Sequence, residues 1–111
     1  MTYNNRTFRA VANTENGDVS GETLFYYQQE TNVVVAIYEG GAIAQGHLMG
    51  LVDAAGNLDF YYHHVNTDGQ LRAGHCQSTP EVLPSGKIRL HERWRWTSGD
   101  GSSGTSVIEE V

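Results

Sequence analysis

Hydrophobic and polar positions alternate most clearly in KIRLHERWRW, residues 87–96. One face of this extended stretch carries Ile88, Leu90, Trp94 and Trp96, and the other carries Lys87, Arg89, His91, Arg93 and Arg95. A period of two is the signature of a half-buried strand. The only polar residue on the apolar face is Glu92. Similar β-prone runs recur along the chain, and no segment shows a convincing 3.6-residue repeat. The pattern predicts strands over approximately 6–13, 20–29, 33–39, 42–53, 57–66, 70–80, 87–97 and 104–110. Mostly hairpin connections join them, which makes an eight-stranded antiparallel meander. A meander of that size can close into a small calycin- or lipocalin-like barrel with no free edge. A two-sheet sandwich is the alternative. The whole chain, 1–111, reads as a single all-β domain.

Three connections share one chemistry. Asp53-Ala54-Ala55-Gly56, Asn66-Thr67-Asp68-Gly69 and Leu83-Pro84-Ser85-Gly86 each suit a type I turn followed by a left-handed glycine, the three-residue hairpin loop. Such loops pair Asp53 with Asn57, Asn66 with Gln70 and Leu83 with Lys87, and counting from them sets the faces of four strands. Leu48, Phe60, Tyr62, His64, Arg72, Cys76, Ser78, Leu90, Glu92, Trp94 and Trp96 then point inward. His63 and His75 point outward. Glycines at 46, 50 and 74 fall opposite His64, Phe60 and Trp96 and leave room for large rings. With less support, a Gly40-Gly41 turn would put Val33, Val35 and Ile37 inside. A three-residue loop before Val33 would put Phe25, Tyr27 and Gln29 inside, and a two-residue loop would put Leu24, Tyr26 and Gln28 there. The first and last strands cannot be placed by counting.

This register separates residues that look like a catalytic cluster in LVDAAGNLDFYYHHVNTDGQLRAGHC, residues 51–76. His64 lies beside Arg72, four residues along the strand from Cys76, or roughly 13 Å. A His–Cys nucleophilic pair is therefore not expected, and Cys76 reads as a small buried hydrophobe. Glu92 carries more information. A carboxylate in an apolar stripe must be paired, hydrogen-bonded or protonated. Either it forms an internal salt bridge, with Arg6 or Arg9 as partner, or it anchors a ligand or acts as a general acid/base. Arg72 beside His64 suits a carboxylate or phosphate, or lies along the rim with its head in water. The expected ligand-binding set is Phe60, Tyr62, Arg72, Cys76, Ser78, Trp94 and Trp96, and Glu92 and His64 are the candidates for chemistry.

Composition narrows the function classes. Thirteen acidic residues against seven basic ones, a net charge of −6, argue against a phosphate-backbone binder. The single cysteine rules out an internal disulfide and a cysteine zinc cage. His47 faces His63 across a strand pair, but no third metal ligand is evident, so neither metal nor cofactor is expected. No apolar run is long enough to span a bilayer and the N-terminus has no signal-peptide core, so a cytoplasmic, membrane-free protein is expected. Met49, Leu51, Tyr61, Val65 and Leu71 point outward as an apolar patch, which predicts a homodimer.

At NTENGDVSGETLFYY, GNLDFYYHHVNTDGQL and LHERWRWTSGDGSSGTSVIEEV the chain resembles a family of short bacterial proteins often given the name N-acetylglutamate synthase. The resemblance runs almost end to end and implies a compact bacterial all-β protein. It carries over no functional residues. The sequence has no Gly-rich loop opening a helix, on which acetyl-CoA-dependent synthases cradle pyrophosphate. The residues themselves favour a small-molecule-binding barrel with an aromatic interior anchored by Glu92. The alternative is a small acid/base enzyme, an isomerase, cyclase or hydrolase, using Glu92 in the same cavity with His64 or a tyrosine assisting.

Overall fold

A computed structural model describes residues 2–111. Its elements are β1 (Arg6–Asn13), β2 (Leu24–Glu30), β3 (Val33–Gly40), β4 (Ile43–Val52), β5 (Leu58–Asn66), β6 (Leu71–Val82), β7 (Ile88–Trp96) and β8 (Ser103–Glu110). Each strand pairs antiparallel with its sequence neighbour, and β8 returns to β1, so the sheet is a closed barrel. Closure removes every free edge, as expected of this pattern. The one substantial boundary difference is at β2. Ser20–Thr23 forms a turn, with Thr23 N–H donating to the Ser20 carbonyl at 3.0 Å. The strand therefore starts at Leu24 and not at residue 20.

The three glycine-terminated loops form as their sequences require. Gly56, Gly69 and Gly86 all have φ between +76° and +87°, a region that only glycine enters without strain. In each loop the first residue both donates to and accepts from its partners. Asp53, Asn66 and Leu83 donate to the carbonyls of Asn57, Gln70 and Lys87 at 2.8–3.0 Å. The carbonyls of the same three residues accept from the N–H of Gly56, Gly69 and Gly86. The ladders follow by counting: Phe60 opposite Cys76 opposite Trp94, and Leu58 opposite Ser78 opposite Glu92. Ile88, Leu90, Glu92, Trp94 and Trp96 are all buried.

The face of β3 is the reverse of the one expected. Val34, Ala36 and Tyr38 are buried, and Val33 and Ile37 are exposed. The turn falls at Gly41-Ala42, so Gly40 pairs with Ile43, and a bulge in β4 then shifts the register before Tyr38 meets Gly46. Moving the turn by one residue leaves the faces unchanged, whereas one extra bulge residue flips them. The loop before β3 is correspondingly the two-residue Thr31-Asn32, since Glu30 pairs with Val33. Phe25 and Tyr27 are nonetheless buried. Reversal of β3 and the shorter loop compensate, which leaves the inward face of β2 as the three-residue loop would have had it.

One end of the barrel is packed solid. Tyr3, Phe8, Tyr27, Leu90 and Ile108 have essentially no exposed surface. Phe8 and Tyr27 meet edge to face at 5.0 Å between centroids, and the Tyr3 hydroxyl donates to the Gly56 carbonyl. At the opposite end the β1–β2 connection folds over the opening. It is tied down where Trp96 Nε1 donates to the Asn16 carbonyl at 3.0 Å and Asn16 Nδ2 donates to the Ser103 carbonyl at 3.0 Å.

Gly50 tests the fit of the rings. A methyl group there would lie 2.2 Å from the Asp59 carbonyl oxygen and 2.3 Å from Phe60 Cβ. Neither can retreat without moving the β4–β5 ladder. Gly50→Ala is expected to destabilise the protein by about 1–3 kcal/mol, measured as a lower urea midpoint with an unchanged m-value.

Candidate functional site

The barrel brings four inward polar residues onto one rung: Asn13 opposite Ser106, Ser106 opposite Glu92, and Glu92 opposite Ser78. Leu90 below and Trp94 above bury the Glu92 carboxylate. It accepts a hydrogen bond from Ser106 Oγ at 2.8 Å and a long one from Ser78 Oγ at 3.5 Å. Among the described residues it has no basic partner. Arg6 is engaged with Glu110 at 2.9 Å, and Arg9 lies on the outer, exposed face, so neither supplies the internal salt bridge weighed from the sequence. Burial raises the carboxyl pKa to about 7, and the two serine hydrogen bonds offset only part of that rise.

Asp18, in the β1–β2 connection, forms a second polar cluster with three barrel residues. His64 Nε2 lies 2.9 Å from one Asp18 carboxylate oxygen, and an Arg72 guanidinium nitrogen lies 3.1 Å from the other. With Nε2–H given to Asp18, His64 Nδ1 is left to accept from the Tyr38 hydroxyl at 2.9 Å. Burial lowers the His64 pKa, opposed by its contact with Asp18. The Arg72 guanidinium also lies 3.7 Å from the Trp96 ring centroid, a cation–π contact. Arg72 therefore does receive a carboxylate, but one supplied by this chain and not by a ligand. Both nitrogens of His64 are occupied, so it does not face Glu92 as a free acid/base partner.

Phe60, Tyr62, His64, Cys76, Glu92, Trp94 and Trp96 line one cavity, together with Asn13, Asp18, Phe25, Tyr38 and Ser106. Of the residues anticipated from sequence, Ser78 lies behind Glu92, and Arg72 stands at the rim on Trp96; neither is part of the lining. The space open to the centre of a water molecule is about 50 Å³, within about 450 Å³ not filled by atoms once the mouth is included. The smaller figure measures what fits without rearrangement, since the larger one includes outside solvent. Burial pushes the Cys76 thiol pKa well up, so the thiol stays protonated and poorly nucleophilic.

Asn13 and Ser106 were missed because β1 and β8 could not be placed from sequence, and Asp18 because it lies in the β1–β2 connection. One signal did point to Asp18. Two inward basic side chains, His64 and Arg72, require an acid from elsewhere, since Asp59 and Glu81, the acids on their own strands, point outward. On the outside, His47 and His63 stack at 5.8 Å between centroids. Among the described residues no group of three His, Cys, Asp or Glu side chains is placed to hold a metal.

A family model described as avidin-like protein matches residues 1–111. The chain belongs to the avidin-like family. No curated protein and no solved structure matches it. An eight-stranded closed antiparallel barrel suits an avidin-like fold, and here Asp18 stands at the mouth of the interior cavity.

The avidin-like barrel should show the burial of Glu92 in its pH–stability profile. A carboxyl raised from 4.5 to about 7 in the folded state binds its proton more tightly there than in the unfolded chain. It therefore lowers stability progressively as pH rises through that interval and no further above it. At about 1.4 kcal/mol per unit, the full effect is about 3 kcal/mol. Glu92→Gln keeps the shape without the charge. Its advantage over the wild type in urea denaturation is expected to grow by that order between pH 4.5 and pH 8. A constant difference across the range would show that Glu92 titrates normally.

Proposed function

We propose that this avidin-like barrel binds a small molecule in the cavity between Glu92 and the Trp94–Trp96 pair, with Glu92 as its polar anchor. The observation that carries the reading is a buried carboxylate without a basic partner, facing an aromatic-walled cavity. Apolar walls with a few converging polar groups are the usual composition of a ligand site. The ligand is small and enters beneath residues 14–23, since anything larger requires Asp18 to leave Arg72 and His64.

A fragment screen by thermal shift at pH 8 tests this. At a hundred times its Kd a ligand stabilises the fold by about 2.7 kcal/mol, a rise of several degrees in a domain of this size. At least one ring-bearing or amine-bearing fragment is expected to do so and to shift tryptophan fluorescence, and Glu92→Gln is expected to weaken it. A screen without a stabilising compound would overturn the reading. A second reading, acid/base catalysis by Glu92, draws on a carboxyl that titrates near neutral pH. The same screen, read by mass spectrometry, tests it through chemical change in a bound compound that Glu92→Gln abolishes.

We also propose that two copies associate through the outer face of β3 to β6. Ile37, Met49, Leu51, Tyr61 and Leu71 are each more than half exposed there, which is unusual for a surface left to water. Sedimentation at micromolar concentration is expected to give a dimer that Met49→Asp with Tyr61→Lys converts to monomer. A wild-type monomer would sink the proposal.

A further inference from the structure

Two acceptors on the cavity's polar rung are short of donors. Asn13 Nδ2 donates to the Val19 carbonyl at 3.0 Å, which fixes the orientation of the amide, because reversing it would set two carbonyl oxygens against each other. Asn13 Oδ1 is then left buried without a hydrogen-bond partner, and Asn13 forms part of the cavity wall. A buried acceptor without a donor is uncommon in a folded protein and calls for an explanation. Glu92, two strands away on the same rung, accepts only from Ser106 and Ser78. Asn13 Oδ1 and the Glu92 carboxylate are therefore two acceptors on one rung that want donors.

The charges agree. Asp18 and Arg72 neutralise each other at the mouth, and burial keeps His64 towards its neutral form. Tyr27, Tyr38, Tyr62 and Cys76, the other titratable groups that face Glu92, are pushed upward and stay protonated. Once Glu92 ionises, the interior holds one uncompensated negative charge. A bound anion would add to it, and a neutral donor would leave it in place. The Trp94 ring adds an aromatic wall, which favours a cation.

We infer that the ligand is a small organic cation bearing several N–H donors, an amidinium, guanidinium or primary ammonium group, seated between Glu92 and Asn13. This rests on the small-molecule reading above and names the chemical class. The rung places Asn13 and Glu92 two strands apart, about 10 Å at the backbone, with Ser106 between them. The water-accessible space of about 50 Å³ holds a few waters, at about 10–15 Å³ each. A group of about that size fits without moving the covering loop.

Acetamidinium, acetamide and acetate form a series of nearly one shape in which only charge and donor count change. Each is titrated into the full chain at millimolar concentration and followed by the NMR shifts of the tryptophan indole N–H signals. At pH 8 acetamidinium is expected to bind at least tenfold more tightly than acetamide, and acetate not at all. Acetamidinium affinity is expected to rise about tenfold from pH 6 to pH 8, about fivefold of it by pH 7, and to level off above, as Glu92 loses its proton. Glu92→Gln should abolish both the preference and the pH dependence. Asn13→Ala should weaken binding and keep the pH dependence. Acetamide binding as well as acetamidinium would overturn the inference and leave the pocket standing. Binding of none of the three, alongside fragments that do bind, would overturn it likewise. Failure of every compound in both experiments would remove the pocket as well.

Discussion

A type I turn closed by a left-handed glycine allows only one pairing of the strands on either side of it. Three such turns, at residues 53–56, 66–69 and 83–86, lock β4 to β7 into a single register. Because side chains alternate with period two, that register decides at once which half of each strand meets water. The aromatic interior, the openings left by Gly46, Gly50 and Gly74, and the inward position of Glu92 all follow. A slip of one residue would put Arg93 and Arg95 in the core and expel both tryptophans, a rearrangement far costlier than burying one carboxyl group.

The barrel makes the burial of Glu92 tolerable without neutralising it. Two serines from adjacent strands supply hydrogen bonds, one good and one long. A structural role alone would be better served by leucine, or by a salt bridge to an arginine. Both arginines that sequence made available are committed elsewhere or face outward. The strain in this interior is electrostatic, and it sits on the wall of the aromatic-lined cavity.

Sequence made the four central strands legible because their loops carry definite turn chemistry and their alternation is strong. It failed at β3 for a local reason: a bulge in β4 near Ala44 has no composition of its own, yet one extra residue reverses every side chain upstream. It failed at β1 and β8 because closure pairs the chain's two ends, and no turn connects them from which to count. The candidate site was divided in the same way. Glu92, Phe60, Tyr62, Trp94 and Trp96 were visible from within one meander. Asn13, Asp18 and Ser106 come from the seam and from a polar loop whose path only the folded barrel determines. Arg72 and His64 were placed correctly, but their partner was an internal carboxylate that the loop delivers.

That loop has a kinetic meaning. Asp18 is held by an imidazole and a guanidinium together, and its neighbour Asn16 is bound to Trp96 and Ser103. Traffic into or out of the interior therefore depends on how often these attachments release at the same time. Exchange would be slow relative to diffusion, and a weakly held occupant would still have a long residence time behind the closed entrance.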